Sequence, residues 1–266
     1  MLREALRTLR VESPAWARAL GLAHEHAAIA ARHRRMRRWW DPHLTASRDV
    51  VLAAADQVRG RTRALVVGAG DCLDVPVTEL AARFDEVVLA DVVIGPAARR
   101  LARRSGGRVR CVVWDATGVL ERLAAVRRTT SADAVTRLFA DADPGPPPGG
   151  EPDLVVSASC LSQLGSVPGH ALPAATYDDT LPEQCRTLAA RTHLAWLARR
   201  TGAVRAVVAD MARLDVAPDG AVLARVALPV VPSRPPDRTW RWDLAMIPEH
   251  SRTHHRVHEV GAWIDA

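Results

Sequence analysis

The sequence predicts an α/β protein built around a mostly parallel sheet. From residue 63 onward, short apolar segments of strand length alternate with amphipathic segments of helical length. Parallel strands need crossover helices, and a sheet covered by helices on both faces has strands that read as continuous apolar runs. Of the 266 residues, 48% are apolar, enough for a sizeable core.

Two helices are predicted before the first strand. In residues 15–40, Leu22, Ile29 and Met36 recur every seven residues, which indicates one face of a basic helix. Asp41 and Pro42 predict the N-cap and first turn of a second helix, which ends near residue 58. We therefore divide the chain into an N-terminal helical cap (1–62) and an α/β domain (63–266).

Five buried strands and four helices are expected in the first part of that domain. The strands are predicted at 63–68, 86–91, 109–115, 153–159 and 203–210, and the helical segments at 77–84, 96–107 and 182–200, with 117–142 mostly helical. Three extended segments follow at 221–231, 238–247 and 253–263. With no long helix between the last two, they predict an antiparallel hairpin added to the sheet.

Composition excludes several classes of site. The chain has no lysine, so all 36 basic residues are arginine, and neither a P-loop nor a pyridoxal enzyme is possible. Its four cysteines form no CxxC pair, so structural zinc and a disulfide framework are not expected. Without an apolar run of about 18 residues or a secretory signal, we expect a cytoplasmic protein with no membrane span.

The positive charge is concentrated near the N-terminus. The formal net charge is +6, and residues 1–63 hold thirteen arginines against six acidic residues. The arginine-rich residues 31–38, with Arg34, Arg35, Arg37 and Arg38, could bind an acidic or nucleic-acid substrate. The interpretation that we favour is a solvated face of a helix that Trp39 and Trp40 anchor to the domain.

Chemistry-bearing residues follow the predicted strands. The first strand ends in Gly68, Ala69, Gly70 and Asp71, and the second ends in Asp91, 21 residues after Gly70. The third ends in Asp115, the fourth is followed by a serine-rich mouth, and the fifth ends in Asp210. Ligands of open α/β sheets bind beyond the carboxyl ends of the strands, so these residues predict a ligand site.

These motifs resemble class I S-adenosylmethionine-dependent methyltransferases. The resemblance rests on VVGAGD (66–71), VVLAD (87–91), VVWDAT (112–117) and DLVVSASCLSQL (153–164), within a region of about three quarters of the chain. It implies a Rossmann-like seven-stranded, mostly parallel sheet with an antiparallel C-terminal hairpin. It also implies S-adenosylmethionine as cofactor, bound by Gly68, Ala69, Gly70, Asp71, Asp91, Val92, Asp115, Ala116 and Ser157.

By the same resemblance, the glycines line the methionine part of the cofactor, Asp91 holds the ribose and Asp115 the adenine amine. Ser157 lies near the sulfonium. Many members have an acid where this chain has Val66, and a third glycine where it has Cys72. Asp71 or Asp74 could therefore face the ammonium group of the cofactor.

The function expected is methyl transfer to an unidentified acceptor. The alternatives are a catalytically inactive binding module, a nicotinamide-dependent oxidoreductase, and an RNA-binding protein acting through residues 31–43. No catalytic base or metal site is predicted. Residues 249–260 contain four histidines and are interpreted as a solvated edge strand, on which His254 and His258 share a face.

Overall fold

The described strands form a single mixed sheet. The computed structural model describes residues 11–166, 171–176 and 180–265, so the predicted cap begins outside the described residues. The helices are α1 Ala15–Ala19, α2 Leu22–Gln57, α3 Val77–Arg83, α4 Pro96–Arg104, α5 Leu120–Val126, α6 Ala132–Ala140 and α7 Leu181–Ala198. The strands are β1 Arg63–Val67, β2 Glu86–Asp91, β3 Val109–Val113, β4 Leu154–Ala158, β5 Val204–Val216, β6 Val222–Ala227, β7 Arg238–Ala245 and β8 His255–Ile264.

The order of the strands confirms the predicted fold class. The sheet runs β3-β2-β1-β4-β5-β8-β7, and neighbours among the first five strands are parallel. Strands β7 and β8 form the predicted antiparallel C-terminal hairpin. The sheet has eight strands rather than seven because β6 pairs with the second half of β5.

The interpretation of the histidine-rich segment as an edge strand is wrong. Strand β8 pairs with β5 along one side and with β7 along the other. At this end of the sheet, the edge strand is β7. An alternation of polar and apolar residues gives the face of a strand but not its neighbours, which depend on long-range pairing.

The predicted helix boundary at Asp41-Pro42 is also wrong. Helix α2 is continuous over 36 residues and has Pro42 inside it. Pro42 leaves the carbonyl of Arg38 without a helical donor, a defect that costs about 3 kcal/mol in a helix interior. Packing offsets that cost, because Trp40 and Leu44, on either side of Pro42, are buried against β7, and the Trp40 Nε1–H donates to the Leu244 carbonyl at 2.9 Å.

The core lies on both faces of the sheet. On one face, Val51 and Ala55 of α2 join Leu80 of α3 and Ala98 of α4 against β1, β2 and β4. On the other face, α7 contributes Trp196 and its neighbours. The second half of α2 therefore shares its core with the sheet, and the domain boundary at residue 62 stays a prediction.

Replacing Pro42 by alanine is expected to stabilise the protein. The new N–H can donate to the Arg38 carbonyl, and this gain exceeds the added freedom of the unfolded chain by about 1 kcal/mol. The measurement is urea unfolding beside the exposed neighbour Asp41→Ala as control. A loss of stability in Pro42→Ala would contradict a continuous α2.

Candidate functional site

A cavity of about 570 Å³ opens at the carboxyl ends of β1 to β4. Helix α2 forms one wall, and residues of β7 and β8 close the far end. The volume suits a ligand of nucleoside size. Of the nine residues predicted to bind the cofactor, the cavity is lined by Gly68, Ala69, Gly70, Asp71, Asp91, Val92, Asp115 and Ala116, but not by Ser157.

The loop after β1 depends on left-handed backbone. Gly68 has φ +79°, and a Cβ there would lie 2.5 Å from Cys160 Cβ and 3.0 Å from the Ala158 carbonyl oxygen. Only glycine permits this approach of β1 to β4. Cys72, at the position where the third glycine was expected, has φ +56°, so it adopts the conformation that a glycine would favour.

Asp91 ties the ends of β1 and β2 together. Its Oδ2 accepts the Gly70 N–H at 2.8 Å, and its Oδ1 accepts the Val93 N–H at 3.2 Å. Burial raises the pKa of this carboxyl, while the N–H groups of Val93 and Gly70 act in the opposite direction. Each oxygen keeps lone-pair capacity for a ligand in the cavity.

Asp71 is held by the protein itself. Its Oδ1 accepts the Ala97 N–H at the start of α4 at 3.1 Å, and its Oδ2 lies 3.5 Å from His26 Nε2. Burial alone would raise its pKa, but His26 and the Ala97 N–H together hold the pKa below its usual range. Gly95 leaves room for this carboxylate, since a Cβ there would overlap it.

Asp115 folds back on its own turn. Its Oδ1 accepts from the N–H and hydroxyl of Thr117 at 2.8 and 2.6 Å, and its Oδ2 accepts the N–H groups of Val119 and Leu120 at 2.9 and 2.7 Å. Four donors fill the carboxylate, which therefore caps the start of α5. Sequence spacing cannot distinguish this capping role from ligand binding.

Asp74, in the loop after β1, has a carboxylate that remains available to a ligand. It lines the cavity and makes no hydrogen bond or ion pair with any residue that the structure describes. Of the two acids predicted as candidates for a cationic ligand group, Asp71 is engaged and Asp74 is not.

Ser157 lies beneath the cavity. It is fully buried, and its hydroxyl is 3.0 Å from Nε2 of His193, which is also fully buried. Burial lowers the pKa of His193 to about 4, so the imidazole is neutral. Cys160 lines the cavity beside them, and burial raises the pKa of its thiol to about 12. At neutral pH this thiol is protonated and is a poor nucleophile.

Sequence reasoning missed the far end of the cavity. His43 and Trp242 stack there with ring centroids 4.0 Å apart, and His258 packs edge-on against Trp242. His258 Nδ1 lies 3.1 Å from Oδ2 of the buried Asp210. The signal available was Asp210 at a strand end, but its histidine partner is 48 residues away in sequence.

Part of the arginine-rich segment is engaged within the protein. Arg35 makes two hydrogen bonds with Glu249, at 2.8 and 2.6 Å, and Arg32 Nε lies 3.5 Å from the same carboxylate. Arg38 stacks on Trp39 at 4.8 Å. These contacts anchor α2 to the segment between β7 and β8 and do not favour a nucleic-acid surface there.

In the described part of the chain, no cluster of three or more potential metal ligands occurs. Over the same residues, the structure contains no helix with the length and apolar character needed to cross a membrane.

Comparisons with known proteins give similarity at the level of structure. No protein-family model and no curated protein matches the chain. Among solved structures, 1,6-didemethyltoxoflavin-N1-methyltransferase from Burkholderia thailandensis, with bound 1,6-didemethyltoxoflavin and S-adenosylhomocysteine, is 16% identical over 90% of this chain and 89% of that chain, with a TM-score of 0.35.

Two further structures are similar over a shorter region. An O-methyltransferase family protein from Burkholderia thailandensis is 16% identical, with a TM-score of 0.34, over 71% of this chain and 43% of that chain. The S-adenosylmethionine-dependent methyltransferase SibL in its apo form is 18% identical, with a TM-score of 0.33, over 70% and 40%. The chain thus spans less than half the length of these two proteins.

Replacing Asp71 by asparagine is expected to make stability less sensitive to acid. Because the folded-state pKa of Asp71 is lowered, its stabilisation is complete above the unfolded pKa of about 3.9 and is lost as the pH falls through the folded pKa. In urea unfolding at several pH values, the wild type should lose stability below about pH 4 more steeply than Asp71→Asn. Parallel curves would contradict this.

Asp115→Ala is expected to lower the free energy of unfolding by about 2 kcal/mol, because four donors lose their acceptor. Thermal and urea unfolding measure the loss. The control is Asp133→Ala, which removes an exposed acid from the first turn of α6 and should change stability by less than about 0.5 kcal/mol. Equal losses in both variants would argue against the capping role.

Proposed function

We propose that the cavity binds S-adenosylmethionine and that the protein transfers its methyl group to an acceptor. The observation that carries this proposal is the tie between Asp91 and Gly70, which fixes a carboxylate at the end of β2 beside a glycine loop. A carboxylate with free lone pairs at that point suits the two hydroxyls of a ribose.

The charge of the cavity supports a cationic ligand. Among the described residues, five carboxylates line it, from Glu25, Asp71, Asp74, Asp91 and Asp115, against the single guanidinium of Arg32. S-adenosylmethionine carries positive charge on its sulfonium and ammonium groups. Asp74, which has no partner among the described residues, is the carboxylate that we assign to the ammonium group.

The same charge argues against a nicotinamide cofactor. A diphosphate binds where helix N-termini present free N–H groups to it. Here Asp71 occupies the first turn of α4, and Asp74 lies just ahead of α3. Two carboxylates next to a diphosphate would repel it.

The two departures from the family pattern are compatible with binding. Cys72 keeps left-handed backbone without being glycine, so the loop retains its turn. Val66 is fully buried in the core on the α2 face of β1 and does not line the cavity. Neither residue therefore supports the alternative of an inactive binding module.

The adenine end is assigned to backbone and apolar groups. Because four protein donors fill the Asp115 carboxylate, the base is better served by the neighbouring Ala116 and by the apolar surfaces of Val92 and Leu120. This changes the role of Asp115 from direct contact with the adenine amine to support of the turn that holds Ala116.

The chain contributes alignment and exclusion of water. When bound, S-adenosylmethionine supplies a methyl group on a positively charged sulfur atom. Ile29, Ala30 and Trp40 of α2 cover the cavity and shield the reacting groups from solvent. We assign this covering role to the α2 part of the predicted N-terminal cap, because in-line transfer needs the acceptor and the methyl group held together.

Isothermal titration tests the cofactor. S-adenosylmethionine and S-adenosylhomocysteine should bind, and NADH should not. Asp91→Ala should weaken both affinities by about tenfold or more, because charged hydrogen bonds to the ribose are lost. The matched control is Asp85→Ala, an exposed acid just before β2, which should bind as the wild type does. Absence of binding to the wild type would overturn the proposal.

The assignment of Asp74 has a separate test. Asp74→Asn should weaken S-adenosylhomocysteine binding by about fivefold to tenfold through loss of the ammonium contact. Binding of 5′-methylthioadenosine, which lacks the amino-acid group, should be unchanged. An equal effect on both ligands would contradict the assignment.

A further inference from the structure

We propose that His258, positioned by Asp210, is the base that takes the proton from the methyl acceptor, and that the acceptor is a flat, neutral molecule with an aromatic hydroxyl group. The inference rests on the proposed function and adds a residue role and a substrate class to it. It stands on the geometry of the cavity end formed by α2, β7 and β8, and on the contact of His258 with Asp210 of β5.

The position and contacts of Asp210 suit it to orient a histidine. It is 6% exposed, and its Oδ2 accepts a hydrogen bond from Ser162 Oγ at 2.7 Å and lies 3.1 Å from His258 Nδ1. His258 Nδ1 is buried and makes no aligned hydrogen bond with any described residue, so rotation of the ring toward Asp210 would satisfy it. Such contacts often align only when substrate binds.

The backbone at this point is irregular. The pairing of β5 with β8 shifts register between Asp210 and Ala212, at the place where β5 leaves β4 and begins to pair with β6. Bulges of this kind redirect side chains and are common beside active sites. Here the irregularity accompanies a buried carboxylate that lies 3.1 Å from His258, a residue of the cavity lining.

His258 can reach a ligand. Its ring lines the cavity, and once the ring turns so that Nδ1 donates to Asp210, Nε2 is the atom left for an acceptor. No described residue hydrogen-bonds Nε2. An imidazole oriented by a buried carboxylate on one nitrogen and open on the other is the arrangement that general-base catalysis requires.

The surrounding wall selects for a flat aromatic molecule. Trp40, Leu44, Trp242 and Leu244 provide apolar surface, and the His43 ring is stacked on Trp242 with only 7° between the planes. His43 Nδ1 accepts the Trp240 Nε1–H at 3.0 Å, and burial lowers the pKa of His43 to about 4. His43 is thus neutral, with its proton on Nε2.

The charges near this wall favour a neutral acceptor. Asp74 and Asp210 are close enough to His43 to influence its protonation, and both would repel an anion. Arg32, the guanidinium on the cavity wall, is already close to Glu249. A neutral phenol enters without these penalties and acquires its negative charge only as it reacts.

Two other histidine pairs do not meet these conditions. His193 and Ser157 are fully buried and outside the cavity. His254 lies 3.7 Å from Asp215, and neither residue lines the cavity. The second pair joins Asp215 of β5 to the residue just before β8, and provides a matched control for His258 and Asp210.

The proposed step balances in atoms and charge. The acceptor oxygen forms a bond to the methyl carbon as the carbon–sulfur bond breaks and its electron pair stays on sulfur. The hydroxyl proton moves to His258 Nε2. The products are a methyl ether, the neutral thioether and an imidazolium, which returns its proton to water.

The test uses 4-nitrophenol, whose anion absorbs visible light. The probe is titrated into the full chain with and without S-adenosylhomocysteine, at a slightly acidic pH where the free phenol is mostly neutral. We expect saturable binding with a raised phenolate-to-phenol ratio in the bound probe. His258→Gln and Asp210→Asn should each lower that ratio by about tenfold.

The control His254→Gln should leave the ratio at the wild-type value. An unchanged ratio in His258→Gln, or no saturable binding to the wild type, would overturn the inference. Calorimetry with S-adenosylhomocysteine on the same variants separates the two proposals. If the wild type does not bind S-adenosylhomocysteine, the proposed function is overturned. If it binds normally but His258→Gln leaves the phenolate-to-phenol ratio unchanged, only the role of His258 is overturned.

Discussion

The site depends on the hydrogen bond between the Asp91 carboxylate and the Gly70 N–H. This contact joins the loop after β1 to the end of β2, two segments that are adjacent only because their strands pair in parallel. Gly68 allows the same loop to approach β4. Contacts between the ends of neighbouring strands therefore form the floor of the cavity. The pairing of the strands fixes the positions of the acidic side chains around it.

Local patterns were enough to predict the strands and the residues at their ends. Asp91 and the glycine loop could be found because a strand, a tight turn and a helix follow one another within about 30 residues. The dyad of Asp210 and His258 could not, since it depends on β8 pairing with β5 across a long stretch of chain. Successive side chains of a strand point to opposite faces of the sheet, and this explains the position of Ser157. Ala158 lines the cavity, so its neighbour Ser157 faces away from it.

Pro42 illustrates a different limit. By itself, proline after aspartate indicates a helix start, and that local preference is sound. The contacts of Trp40 and His43 with β7 and its neighbours outweigh it, because they bury both sides of the proline in one surface. The stabilisation that these contacts provide depends on tertiary packing. It therefore could not be predicted from a short stretch of sequence around Pro42.

Helix α2 belongs to two regions at once. Its second half packs in the main core, and its first half, through His26, Ile29 and Ala30, forms a wall of the cavity. A continuous helix resists local opening because its backbone hydrogen bonds form one cooperative unit. Packing of the second half of α2 in the core therefore makes the wall formed by its first half rigid. A ligand meets a shape that already exists, and little of its binding energy is spent on ordering the chain around it.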